Sequence, residues 1–290
     1  MPSLKEVRNK ITSVGSTMQI TSAMKMVSAA KLKRAQDAIV QMRPYANKLK
    51  DILANVSGSV DASENVYART GPVKKVLIIA VSSNRGLAGA FNSNIIKKSN
   101  QLINGEYGGA EVTLLPVGKK VLDAFRKTKY VISGQDIPHH ASHLFDKLTY
   151  ENVEPVIQKA MDSFVNRQFD KVVVVYNQFK NAAVQIPVEE QLLPLIPPTS
   201  SGSNVDYIFE PSQDHIINEL IPVSVKTQFY KALLDSFASE HGARMTAMHK
   251  ATDNAKAMQR DLKIMYNKAR QASITKEILE IVGGAEALKG

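Results

Sequence analysis

Three histidines stand close together, at His139, His140 and His143. An H-x-x-H spacing can hold a transition metal when further ligands complete the set. With no cysteine in the chain to complete it, a solvated loop is the simpler reading. Gly86-Leu87-Ala88-Gly89 is the other chemically suggestive run. A phosphate-cradling loop needs G-x-x-x-x-G-K-[ST], and a dinucleotide turn needs G-x-G-x-x-G with an acidic residue closing the next strand. The run matches neither pattern. The absence of cysteine also excludes disulfides, thiol catalysis and thiolate metal sites. No catalytic, cofactor-binding or metal site is expected, and the sequence points to a part that works through its shape and surface.

The elements that would carry such a surface are read from periodicity. The chain has 290 residues, 44% hydrophobic and 22% charged, as expected of one or two globular domains. Ser3-Leu4-Lys5-Glu6 reads as a capping box, in which the Ser and Glu side chains satisfy free N–H groups at a helix start. From Leu4, positions spaced alternately 3 and 4 apart run to Val56, and thirteen of sixteen are apolar. That is the stripe of a coiled-coil seam. The three exceptions are consecutive: Thr21, Lys25 and Ser28. There the apolar face is expected to shift to Ile20, Ala23, Met24 and Val27, as if the helix met a second partner midway. Pro44 lies inside the pattern and should kink or interrupt the helix, because it lacks an N–H and clashes with the preceding turn.

A polar linker follows over 57–72, and then the period changes. Lys74–Ser83, Glu111–Val117, Tyr130–Ser133 and Lys171–Phe179 read as strands. Asn92–Ile103, Lys119–Lys127 and Asn152–Phe169 read as helices. Apolar strands alternating with helices imply a mostly parallel sheet covered on both faces. Asn181–Leu193 reads as an added antiparallel edge strand, and Pro194–Asn204 as a loop.

The end of the chain is helical again. Ser212 could cap a short helix, and Pro222 suits a first helical position. From Met248 the 3, 4 spacing gives Ala251, Ala255, Met258, Leu262, Met265, Ala269, Ala272, Lys276 and Leu279. The same register runs back through Tyr230, Leu234, Phe237, His241 and Arg244. Helices over 3–56 and 222–287 would be roughly 80 and 100 Å long at 1.5 Å per residue. Each apolar stripe must be buried, and pairing the two helices antiparallel is the simplest way. The expected divisions are residues 1–57 and 212–290 as the paired coiled-coil helices, with an α/β domain over 73–205. The overhanging end, Ala272–Ala287 with Lys276 in its seam and Gly283-Gly284, reads either as a fraying terminus or as a slim tip for a narrow protein sleeve.

Charge is uneven. The net charge is +10, of which residues 1–57 carry +7. A basic helix can face nucleic acid, an anionic membrane or an acidic protein surface. No run approaches the 20 or so apolar residues of a membrane span. The N-terminus lacks an apolar signal core, which fits a soluble protein made and kept in the cytoplasm, or a mature form that needed no presequence.

Three segments carry a family resemblance. They are Ile20-Thr21-Ser22-Ala23-Met24-Lys25-Met26-Val27-Ser28-Ala29-Ala30-Lys31-Leu32, Ser83-Asn84-Arg85-Gly86-Leu87-Ala88-Gly89-Ala90-Phe91-Asn92, and Tyr266 to Ala287 with its Ser273-Ile274-Thr275-Lys276-Glu277-Ile278 core. Together they resemble the γ subunit of F-type ATP synthases. The resemblance implies a central-stalk rotor: a helical shaft inside a ring of three α and three β subunits, and a Rossmann-like three-layer α/β domain that meets an ε subunit and a membrane c ring. It implies that proton or sodium flow turns the shaft, which forces the β sites through their conformations and makes or hydrolyses ATP there. By position, Met24, Lys25 and Met26 correspond to the surface facing an acidic β loop. Arg270, Gln271, Thr275 and Glu277 correspond to polar contacts of the last helix, and Arg85 and Gly86 to a loop at the stalk foot. Relatives often carry Asp and Cys where Asn84 and Ala88 stand. The resemblance also implies a peripheral position on a membrane through the complex, and with no presequence read, the cytoplasmic face of a bacterial plasma membrane is the expectation. A basic coiled coil binding nucleic acid is the alternative; it would show strongly salt-dependent phosphate contacts.

Overall fold

The computed structural model describes residues 3–57, 66–69, 71–131, 137–195 and 219–287. The chain forms two compact units, residues 29–244 and residues 1–28 with 245–290. Two long helices contribute to both: α1 over Leu4–Ser57 and α5 over Ile221–Ala287. The fold combines long N- and C-terminal helices with a three-layer α/β domain built on a mostly parallel sheet.

The unit of residues 29–244 is built on four strands: β1 (Lys75–Val81), β2 (Glu111–Val117), β3 (Lys171–Phe179) and β4 (Gln185–Leu193). Their order is β2-β1-β3-β4. β1 pairs parallel with β2 and with β3, and β4 returns antiparallel on β3. The central strands β1 and β3 are rich in Val and Ile because both faces are covered, so alternation with polar residues is lost there. On one face Leu77, Ile79, Val81, Val172, Val174 and Tyr176 meet α4 (Tyr150–Val165) and the first turns of α5, through Val225, Phe229, Ala232 and Leu233. On the other, Val76, Ile78, Ala80, Val173 and Val175 meet α2 (Phe91–Asn104) and α3 (Lys119–Phe125). Each fully buried Val or Ile contributes roughly 1.5–3 kcal/mol. In the same unit Leu32, Ala35, Ile39 and Leu49 of α1 are buried.

The other unit is a helical pair. Thr21 meets Thr252, and Gly15 lies beside Gln259, so the partner number rises as the α1 number falls. That is antiparallel pairing. The capping box forms as the sequence implies: Ser3 N–H donates to Glu6 Oε2 at 3.2 Å, and Glu6 N–H donates to Ser3 Oγ at 3.3 Å.

Several expectations need correction. The helix does not break at Pro44; α1 runs through it to Ser57. A proline removes a single donor, and a helix packed on a long seam tolerates that loss. Tyr130 and Val131 are turn and bend, although the Tyr130 carbonyl accepts from Leu114 N–H at 2.8 Å at the edge of β2. The α5 helix starts one residue before Pro222. The Ser212 cap, residues 132–133 and most of the Pro194–Asn204 loop lie outside the described residues.

Candidate partner-binding surfaces

Every α1 seam position from Leu4 to Leu49 is at least half-buried, Thr21, Lys25 and Ser28 included. The seam therefore does not shift to the apolar residues beside it. Ile20 is 60% exposed and Val27 58%, Ala23 is exposed, and Met24 is half-buried. Polar seam residues are tolerated because their hydroxyls find partners. Ser28 Oγ donates to Met24 O at 2.8 Å, and Thr21 Oγ1 lies 2.8 Å from Thr252 Oγ1. A buried hydroxyl left unbonded would cost about 1–3 kcal/mol.

The matching seam on α5 is half as expected. Met248 and Ala255 are buried, and Leu262 and Ala269 half-buried. The alternate positions fall one residue later than the apolar spacing suggested: Thr252, Gln259, Tyr266 and Ser273 turn inward. Met258 and Met265 are left exposed instead. The facing α1 positions decide this. Thr21 needs a hydroxyl partner, and Gly15 leaves room for the Gln259 amide.

Met26 is 63% exposed and Lys25 half-buried. Both line a groove of about 360 Å³ with Met18, His249, Asp253 and Lys256. His249 Nδ1 lies 3.4 Å from Asp253 Oδ2. A groove with methionine walls and two lysines offers adaptable apolar contact plus positive charge.

Beyond Ser273, α5 is exposed on all sides to Ala287, yet it remains helical through Gly283 and Gly284. Lys276 is not in a seam; it pairs with Glu280 at 3.6 Å. Arg270, Gln271, Thr275 and Glu277 are all exposed. The Thr275 hydroxyl donates to Gln271 O at 2.9 Å, and Ser273 Oγ donates to Glu277 Oε1 at 3.5 Å. Ile274, Ile278, Leu279, Ile281 and Val282 are also exposed. That is more unburied apolar surface than an ordinary solvated helix presents.

The Arg85-Gly86 loop follows β1 and is tied to α5. Arg244 Nη2 donates to Arg85 O at 3.2 Å, and Arg244 Nε to Gly86 O at 3.4 Å. Arg244 Nη1 also binds Glu240 Oε1 at 2.6 Å. Burial raises the Glu240 pKa against the opposing pull of Arg244. His241, beside them, is pushed down to about 3, by burial first and then by Arg244 and Lys31. It is a neutral imidazole, edge-on to Phe237. The loop itself is pinned by Asn84, whose Nδ2 donates to Ser142 O and whose Oδ1 accepts from Lys119 N–H. Of the Glu240–His241–Arg244 cluster, His241 and Arg244 were legible only as seam positions, and Glu240 was missed. The available signal was charge inside an apolar stripe, since a buried charge must be paired.

His139 and His140 lie edge to face, and His140 Nδ1 is 3.1 Å from Ser142 Oγ. Among the described residues no group of three or more His, Asp or Glu could hold a metal. Among them, too, no helix is long and apolar enough to cross a membrane.

The fold and surfaces define a class: an antiparallel helical pair and an α/β domain, with apolar side chains left exposed on the long helices. The ATP synthase family model matches residues 3–288. The chain is 57% identical to the ATP synthase gamma chain of Flavobacterium psychrophilum over 296 residues, covering all of both chains. It is 56% identical to that of Flavobacterium johnsoniae, again over all of both chains. Among solved structures it resembles a chain of the Euglena gracilis mitochondrial ATP synthase assembly of OSCP, F1 and c-ring. The TM-score is 0.69 at 19% identity, covering 98% of this chain and 94% of that one. A chain of the Tetrahymena thermophila central stalk and c-ring matches with a TM-score of 0.58 at 24% identity, covering 80% of this chain and 99% of that one. The chain belongs to the ATP synthase gamma chain family.

Proposed function

We propose that this chain is the central-stalk rotor of an F-type ATP synthase, coupling transmembrane proton flow to ATP synthesis or hydrolysis on β subunits. It has no active site of its own. The observation that carries the reading is the exposed second face of the helical pair, with Ile20, Met26 and Val27 outward while polar residues fill the seam. An apolar face left open beside a seam that could have buried it is a face kept for partners. The basic first helix suits an acidic β loop at Met24, Lys25 and Met26. Arg270, Gln271, Thr275 and Glu277, with the apolar tip around them, suit a close sleeve formed by the α and β subunits, three of each. Arg85 and Gly86 suit the stalk foot, near an ε subunit and a membrane c ring. The complex would be peripheral on the cytoplasmic face of a bacterial membrane. Family membership leaves the nucleic-acid alternative without support.

Coupling then needs no chemistry from this chain. A face that differs around the axis contacts each β subunit differently at each angle. Only such differential contact energy can shift a conformational equilibrium. Reconstitution tests this. Met24→Lys adds a charge to the contact and is expected to lower protons pumped per ATP hydrolysed while the complex still assembles with α and β subunits. Equal pumping per ATP in both would overturn the assignment of that surface.

A further inference from the structure

We propose that the Thr21–Thr252 hydroxyl pair is a register device that keeps the apolar face at Ile20 and Val27, beside Met26, turned outward; the functional part of this rests on the rotor reading above. Over residues 20–28, two stripes compete for the seam. One is Thr21, Lys25 and Ser28; the other is Ile20, Met24 and Val27. Apolar burial alone favours the second. The folded chain takes the first, with Thr21 and Thr252 buried and Ile20 and Val27 mostly exposed. Turning α1 by one residue would exchange the stripes and withdraw the outward face.

The two hydroxyls supply the opposing constraint. Thr21 Oγ1 is 2.8 Å from Thr252 Oγ1, 3.1 Å from Met18 O, and Thr252 Oγ1 is 2.8 Å from Met248 O. Three contacts share two protons. One threonine donates to the other, which then donates to its own helix's carbonyl, and the direction can reverse. The cross-helix bond forms only when both hydroxyls face each other, so it selects one rotation of α1 against α5. A single polar layer in a coiled coil fixes register in this way at some loss of stability. Leu32 and Ala35 on one side and Val14 and Met18 on the other continue the same stripe, so the device is needed only where the apolar pattern conflicts.

The chain has no cysteine, so Val27→Cys gives the full-length protein one thiol on the exposed face. Its maleimide labelling rate reads the rotation of α1. Adding Thr21→Val is expected to slow labelling by about an order of magnitude, since a buried thiol reacts only through a minor exposed population. Thr21→Ser is expected to restore the rate. In the reconstituted synthase Thr21→Val should lower protons pumped per ATP hydrolysed, and Thr21→Ser should rescue it. Unchanged labelling with Thr21→Val overturns the register device. Slowed labelling with unchanged pumping overturns its role in coupling, whereas an unaffected Met24→Lys synthase overturns the surface assignment itself. Loss of helical circular dichroism in both Thr21→Val and Thr252→Val also overturns the proposal, because the pair would then hold the fold together and orient nothing.

Discussion

Arg244 holds Nη1 2.6 Å from Glu240 Oε1, one turn earlier on the same helix, with both side chains buried. The remaining guanidinium N–H groups reach the Arg85 and Gly86 carbonyls. One buried cation thus satisfies a carboxylate and a loop that follows a β strand. Arg244→Met would leave Glu240 buried without its partner and the loop carbonyls without donors. Breaking a buried pair from one side costs about 3–5 kcal/mol. Urea unfolding should show a loss of that order. Adding Glu240→Gln should recover part of it, since the stranded charge is then gone.

Asp235 gives the contrasting case. Its side chain is 1% exposed, Arg43 lies 3.5 Å away, and Oδ2 has no hydrogen-bond partner among the described residues. Burial raises its pKa despite Arg43 and Lys231. A raised folded pKa means stability that is full below the ordinary value of 3.8 and is lost as pH rises through the folded value. Asp235→Asn is therefore expected to match or exceed wild-type stability at pH 7, while Arg43→Met lowers it. The reverse order in thermal melts would contradict this.

His241 titrates with the opposite sign. Its folded pKa of about 3 lies below the ordinary 6.5. The unfolded chain binds the proton first, so stability present above pH 6.5 is lost as pH falls toward 3. The slope from one such proton is at most about 1.4 kcal/mol per pH unit. His241→Gln should flatten the stability curve below pH 6.5 relative to wild type. The rising contribution of Glu240 is common to both proteins and cancels in the comparison. Parallel curves would refute the neutral-imidazole assignment.

Gly118 sits between β2 and α3 with φ +115, a conformation that L side chains rarely adopt. A Cβ there would overlap the Ser82 carbonyl at the end of β1. Gly118→Ala should destabilise the α/β domain by at least about 1–3 kcal/mol from backbone strain alone. A neutral result in urea unfolding would mean that the two strand ends can separate freely.

The fold was largely legible because its elements are long or strongly apolar. β2 and β3 have the bounds that their Val, Ile and Leu runs imply. Tyr130 resisted reading because one backbone bond to an edge strand does not make a strand. The α5 register was legible only in part: Met248, Ala255, Leu262 and Ala269 follow from spacing. The choice of Thr252 over Ala251, and of Gln259 over Met258, depends on what α1 presents across the seam. Hydrophobicity within one helix cannot supply that information. The exposed faces at Met26 and at Ile274 to Val282 show the same limit. Periodicity marks them as apolar, but only three-dimensional packing reveals that this chain leaves them uncovered.

Rotation of the chain itself is the most direct test of rotor function. The protein would be reconstituted with α and β subunits fixed to a surface, with a visible probe attached through a cysteine introduced in the α/β domain. Addition of ATP is expected to drive sustained rotation in one direction, and Met24→Lys to weaken the torque. An assembled complex that hydrolyses ATP while the probe stays still would contradict the proposed function.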